Sequence, residues 1–292
     1  MPPTMALHPR TSCTPGRPPP IIDLILLPNL RCLYEVFIQG APSSEELESI
    51  KMSTDQLLAT FALSKDDLKR VKDVVADEAI RRGVVPPRCS SLVATFGLRA
   101  KEGGSGGPGE GPMTYMALAV DHRSRMKPPL SDKYLGNCVG LAFVLAPTGE
   151  LATAGVGGIF STCTAVASSI DEAVRDIGTS SMEVWMDCNR EVFPMGVLTV
   201  SSLPRFRVYD LDFEFGWPTK VDVVPMSSIG VVAVAESRGG DGGIEVGVSL
   251  QPAAIGSYKK CFTDAITWLY QKTRGLVQCE RCFRGERKVR VH

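Results

Sequence analysis

The spacing of apolar residues changes abruptly at Ser64. Before it, Leu57-Leu58-Ala59-Thr60-Phe61-Ala62-Leu63 is a short apolar run that predicts a strand. After it, Leu68, Val71, Val74 and Val75 recur at helical spacing and predict a helix with one buried stripe. Ser64 stands where an N-cap belongs, and the capping-box position three residues on holds Asp67 instead of Glu or Gln. A second helix is predicted from Ser90 to about Ala100, followed by a glycine-rich surface connection at 103–112.

Farther along, apolar runs predict strands at 114–121, 138–145, 196–209 and 221–225, with a helix from about 165 to 176 between the second and third. Two β-rich runs at 230–236 and 243–250 flank Ser237-Arg238-Gly239-Gly240-Asp241-Gly242, the pattern of a hairpin. A final helix is predicted over about 257–271. Helices mixed irregularly with strands indicate an α/β layer fold with a mixed β-sheet and flanking helices. Ahead of all this, residues 1–20 are proline-rich and irregular, 20–39 is an apolar stretch fit for a strand or short helix, and 41–52 is a polar linker with acidic helix character.

Composition narrows the function classes. The chain has 292 residues, 44% of them hydrophobic, and a formal net charge of zero, so no global field draws it to nucleic acid or to an anionic membrane. No apolar window reaches the length of a membrane-spanning helix, since the run from Ile21 to Leu27 is broken by Asp23. The proline-rich start does not resemble a secretory signal, which makes the cytoplasm the expected location. Nine cysteines without a repeating spacing fit reduced thiols there, and the lone Cys279-Glu280-Arg281-Cys282 pair has no second half to complete a zinc site, so no metal is expected. The glycine run at 103–111 lacks the Gly-Lys-Ser/Thr of a phosphate loop, and the basic residues near the end (Arg281, Arg284, Arg287, Lys288, Arg290) read as a loose, solvated tail.

Three blocks carry a resemblance. Ala119-Val120-Asp121-His122-Arg123-Ser124-Arg125-Met126-Lys127-Pro128-Pro129-Leu130, continuing to Tyr134-Leu135-Gly136-Asn137, is similar to a D-x-R-x-R-x-x-P-P … Y-F-G-N pattern, departing from it at Leu135. Val208-Tyr209-Asp210-Leu211-Asp212-Phe213-Glu214-Phe215-Gly216-Trp217-Pro218-Thr219-Lys220-Val221 looks like a D-F-G-W-G-R-P or D-F-G-F-G-R-P signature with its flanks, in which Glu214 replaces the first glycine and Trp217 the arginine. The Ala235–Gly247 hairpin supplies the third block, and the blocks come in the family's order and spacing. Together they resemble the C-terminal half of plant BAHD acyltransferases, which use acyl-CoA, and most closely the branch acting on anthocyanins and other phenolic glycosides.

The resemblance implies a chloramphenicol-acetyltransferase-like domain over 53–274, preceded at 1–52 by a proline-rich arm and the remnant of an N-terminal domain and crossover, and followed by the basic tail at 275–292. It implies malonyl-CoA or hydroxycinnamoyl-CoA as co-substrate, with no tightly bound cofactor, and a phenolic or flavonoid glycoside as acceptor. Ser90 and Ser91 match positions near the pantetheine and phosphate portions of CoA, at a helix start that favours an anion. Asp121, Arg123, Asn137, Asp212, Phe213, Phe215, Gly216 and Pro218 match structural motif positions. Arg123 corresponds to the arginine that holds the aspartate of the family's H-x-x-x-D; without that partner, a buried Arg123 needs another carboxylate or access to water. Glu214 is expected to strain the backbone if its position requires positive φ.

Acyl transfer to a hydroxyl needs a general base within hydrogen-bond reach, which in this family is the histidine of H-x-x-x-D. The three histidines of the chain, His8, His122 and His292, are not followed by aspartate four positions on, so the sequence offers no catalytic residue. The motif precedes the region matching 21–39 in the family, and its absence is read as missing upstream sequence. Two expectations follow: acyltransferase descent without turnover by this chain, or a non-catalytic fragment that binds CoA weakly or associates with an intact homologue through an exposed inter-domain face.

Overall fold

The computed structural model describes residues 21, 35, 57–99, 112–131, 133–136, 138–175, 197–202, 208–221 and 231–285, with backbone alone at 99, 202, 231 and 273–285. Its strands are β1 (Leu57–Leu63), β2 (Met113–Asp121), β3 (Val139–Pro147), β4 (Leu198–Ser202), β5 (Val231–Glu236) and β6 (Ile244–Leu250). They form one six-stranded sheet in the order β1-β6-β5-β4-β2-β3. Pairing is antiparallel for β1–β6, β5–β6 and β2–β3, and parallel for β2–β4 and β4–β5. The mixed α/β sheet expected from the sequence is therefore present, and the hairpin is β5–β6, with Glu236 opposite Ile244.

Among the described residues, four long helices flank this sheet: α1 (Lys65–Arg82), α2 (Ser91–Arg99), α3 (Val156–Arg175) and α4 (Pro252–Gly285). Period-two alternation sends Val232, Val234, Val246 and Val248 into one core with Val71 and Val75 of α1, Phe96 of α2, Val166 of α3 and Leu269 of α4. The opposite face of the β2–β3 edge is less covered, and Val139 and Leu145 there are more than half exposed.

Helix α1 begins where the pattern changes period. Ser64 is its N-cap, its hydroxyl accepting from Asp67 N at 3.1 Å while the Asp67 carboxylate accepts from Ser64 N at 2.8 Å, so aspartate completes the capping box after all. Gly83 ends the helix in the left-handed region at φ 66°, the conformation that favours glycine. Near that end the buried Glu78 accepts from both Arg81 and Arg82, which hold its carboxyl down at about 2. A depressed carboxylate stabilises the fold above its unfolded-state titration range, and that contribution is lost as pH falls toward the folded value. The Glu78→Gln variant is therefore expected to lose less stability than the parent between about pH 5 and pH 2, read as thermal midpoints across that window.

Elsewhere the structure departs from the sequence reading. The strand predicted over 196–209 is only Leu198–Ser202; Val208–Asp210 is a turn of 3-10 helix, and 203–207 lie outside the described residues. Val221 is not in a strand, and the rest of the predicted 221–225 strand lies outside the described residues. Helix α3 starts at Val156, nine residues before the predicted 165, after an unpredicted helical turn at Thr148–Leu151. Helix α4 starts at Pro252 and its backbone continues to Gly285, through most of the stretch read as a loose tail. Among the described residues no helix is long and apolar enough to cross a membrane.

Candidate functional site

Two of the sequence-selected groups are built on elements of the core, and a third lies on an exposed loop. The first is the start of α2. Ser90 caps the helix: its hydroxyl accepts from Val93 N at 3.2 Å and its carbonyl accepts from Ala94 N at 2.9 Å. Ser91 is half-buried, and Lys72 of α1 donates to its hydroxyl at 3.0 Å. A lysine beside the free amides of a helix start concentrates positive potential at one corner, with two hydroxyls able to donate to an anion. Lys72 escaped the sequence reading because it comes from another helix, nineteen positions from Ser91.

The second group sits at the end of β2. Arg123 grips Asp121 with two nitrogens, Nε to Oδ1 at 3.0 Å and Nη2 to Oδ2 at 3.0 Å, and its Nη1 donates to the Tyr134 carbonyl at 3.1 Å. Arg123 is about three-quarters covered, so the expectation of a substitute carboxylate is met by its neighbour two residues back. Burial pushes the Asp121 carboxyl up, but the hydrogen bonds and charge of Arg123 outweigh it and hold the carboxyl below its usual range. Arg125 also donates to the Asp121 carbonyl, at 2.6 Å. Asn137 lies outside the described residues.

His122 lies between Asp121 and Arg123 in the chain. Its Nδ1 is buried without a hydrogen-bond partner, and its Nε2 edge abuts Gly140 so closely that a methyl on that glycine would fall 2.1 Å from the nitrogen. Burial lowers the imidazole's affinity for a proton, the charge of Arg125 lowers it further, and Asp121 opposes them only in part. A ring of lowered proton affinity, with Nδ1 buried and Nε2 close over Gly140, suits packing better than proton transfer.

The third group, Asp212 to Pro218, is a surface turn. Asp212 Oδ1 accepts from Glu214 N at 2.9 Å, and Phe213 N donates to Gly216 O at 3.2 Å. The rings of Phe213 and Phe215 stack with centroids 5.9 Å apart, yet Phe215 is 90% exposed and Trp217 69%. Glu214 has φ 70°, so the side chain at the family's glycine position does occupy strained backbone. The Glu214→Gly variant is expected to raise stability by up to about 1 kcal/mol, seen as a higher urea midpoint at unchanged slope. Tyr209, in the flank of the motif, ties this loop to the sheet by donating to Glu245 Oε2 at 3.0 Å and accepting from Val221 N at 3.3 Å.

Comparison with known proteins places these groups in a family context. The sequence matches the Transferase family over residues 41–265. Phenolic glucoside malonyltransferase 1 of Arabidopsis thaliana is 29% identical over 219 residues, covering 73% of this chain and 46% of that protein. A malonyl-coenzyme:anthocyanin 5-O-glucoside-6'''-O-malonyltransferase of Salvia splendens is 26% identical, covering 75% of this chain and 46% of its own length. The chain thus spans about half the length of the curated relatives it matches. Among solved structures, F. graminearum TRI101 complexed with coenzyme A and deoxynivalenol superposes with a TM-score of 0.52 at 18% identity, over 72% of this chain and 49% of that chain, a likeness of fold.

Proposed function

The chain belongs to the Transferase family, and we propose that it contributes the CoA-contacting lobe of an acyltransferase moving a malonyl or hydroxycinnamoyl group from CoA to a hydroxyl of a phenolic or flavonoid glycoside. The observation that carries this reading is the corner formed by Lys72, Ser90, Ser91 and the start of α2, which suits a phosphate-bearing ligand. The names of the relatives, malonyltransferases of phenolic and anthocyanin glucosides, supply the donor and acceptor classes. The pairs Asp121–Arg123 and Tyr209–Glu245 act as struts in this reading and touch no reacting atom.

Attack by the acceptor hydroxyl on the thioester carbonyl requires removal of the hydroxyl proton. His122 is poorly placed for that, and neither His8 nor His292 has the aspartate of H-x-x-x-D. The 292-residue polypeptide by itself is therefore proposed to bind CoA without turnover.

Calorimetric titration of the purified chain with CoA tests the binding half. Saturable binding is expected, weakened about tenfold by Lys72→Met with the fold intact by circular dichroism. No binding, or binding indifferent to Lys72 and Ser91, removes the CoA-contacting role. Release of free CoA thiol from malonyl-CoA or coumaroyl-CoA with flavonoid glucosides tests the other half, and turnover above a heat-killed control would overturn the claim that no base is present.

A further inference from the structure

The turn that carries Asp212 to Pro218 is an exposed tongue whose surface the proposed chemistry leaves unused. From Asp210 to Phe215 acidic and apolar residues alternate, as Asp-Leu-Asp-Phe-Glu-Phe, and Trp217 follows. Leu211, Phe213, Phe215 and Trp217 are each more than half exposed, and the Phe213 and Phe215 rings stack on one another. Exposed apolar clusters of this kind mark contact sites. Asp210, Asp212 and Glu214 are exposed as well, against one cation, Lys220, between 208 and 221. Both departures from the motif push the same way: Glu214 adds a carboxylate where the pattern has glycine, and Trp217 puts a ring where it has arginine.

We propose that this tongue docks the basic segment of a second copy of the chain, Arg284-Gly285-Glu286-Arg287-Lys288-Val289-Arg290. Three carboxylates interleaved with aromatic rings suit guanidinium and ammonium groups, which pair with the former and lie over the latter. This chain already seats arginine on rings, with the Arg70 Cζ 4.2 Å from the Tyr270 ring centre and the Arg82 Cζ 4.6 Å from that of Phe160. The segment carries four cations against one carboxylate, Glu286, so its charge is opposite in sign to that of the tongue. Such a tongue repels phosphate groups, and neither an anionic membrane nor nucleic acid suits it.

Reach decides between the chain's own segment and that of another copy. The tongue is tied to the sheet at Glu245 through Tyr209. The next residue of β6, Val246, lines a small void with Phe262 of α4. From Phe262 the backbone of α4 continues to Gly285, about 35 Å at 1.5 Å per residue. Residues Glu286 to Arg290 can span at most about 17 Å. The segment therefore falls short of the tongue on its own chain, whereas a second copy can bring its segment to this tongue and take the reciprocal contact in return. Such an exchange is a two-fold pairing with two identical contacts, and it does not depend on the CoA reading.

Sedimentation velocity of the full chain tests the pairing. A dimer is expected at about 0.1 M salt, with association about tenfold weaker at about 1 M, as the screening length falls from about 10 Å to about 3 Å. Glu214→Lys, which keeps a side chain on the same backbone, and Lys288→Glu are each expected to shift the chain to monomer, and the two together to restore the dimer. Phe215→Ser, at an exposed ring, is expected to weaken the dimer without changing the circular dichroism. Carbodiimide coupling in a mixture of 15N-labelled and unlabelled chains is expected to join Glu214 to Lys288 in peptides of mixed label. A monomeric chain, a dimer that ignores both reversals or is not restored by their combination, or coupling confined to peptides of a single isotope would overturn the proposal.

Discussion

The Phe96→Ala variant should lose about 3–5 kcal/mol of stability, the largest effect of any single side chain considered. Phe96 projects from α2 into the centre of the core and is 1% exposed. It stands with Leu63, Val246, Tyr258 and Phe262 around a small void, so truncation enlarges space that is already imperfectly filled. Leu63 and Val246 lie on neighbouring strands of the sheet, whose hydrogen bonds keep the walls from collapsing inward. Urea unfolding should show a lower midpoint at unchanged slope, and Phe96→Leu should recover most of the loss. A cost below about 1 kcal/mol for Phe96→Ala would mean that α2 does not close the core in solution.

Gly136→Ala should cost about 3 kcal/mol, from collision and not from lost contact. A Cβ at Gly136 would fall 2.1 Å from the Tyr134 hydroxyl and 2.2 Å from its Cζ, and Tyr134, 0% exposed, has nowhere to swing. Because the Tyr134 carbonyl also receives Arg123, the damage should spread to the Asp121–Arg123 pair, and the Asp121 carboxyl should titrate nearer its ordinary range. Adding Tyr134→Leu to Gly136→Ala should recover part of the stability, which distinguishes a steric clash from a general intolerance of the loop. A Gly136→Ala chain as stable as the parent would disprove the placement of Tyr134.

These two positions illustrate what local sequence can and cannot reveal. Gly136 was visible as part of a Tyr-Leu-Gly-Asn block, but the reason for glycine became visible only once the Tyr134 ring was found lying over it. Glu214 went the other way: its place at a glycine position announced strain, and the backbone there has φ 70°. Arg123 was expected to need another carboxylate or access to water, and a carboxylate that it holds is two residues away in the chain. Lys72 gave no sequence signal and Tyr209 only a place in the flank of a motif, since each matters through a partner far along the chain (Ser91 and Glu245).

Errors in the secondary structure have the same origin. The early start of α3 runs through Gly157 and Gly158, residues of poor helix propensity, and burial of Ile159, Phe160 and Cys163 against the core outweighs that penalty. The predicted strand at 196–209 was too long because an apolar run does not say where pairing stops; β4 keeps only the residues that find partners on β2 and β5.

By itself, then, the sequence determined what depends on near neighbours: the β1 to α1 switch at Ser64, the buried stripe of α1, the β5–β6 hairpin, the mixed α/β class and the motif blocks that resemble an acyltransferase. Periodicity, caps and turns are written within a few residues of one another, so they can be read without knowing the fold. Tertiary structure alone decided the strand order, the meeting of Lys72 with Ser91 and the seat of Tyr134 on Gly136. Such contacts arise when packing brings distant segments together to bury one shared core, and no local pattern encodes which distant side chain will arrive.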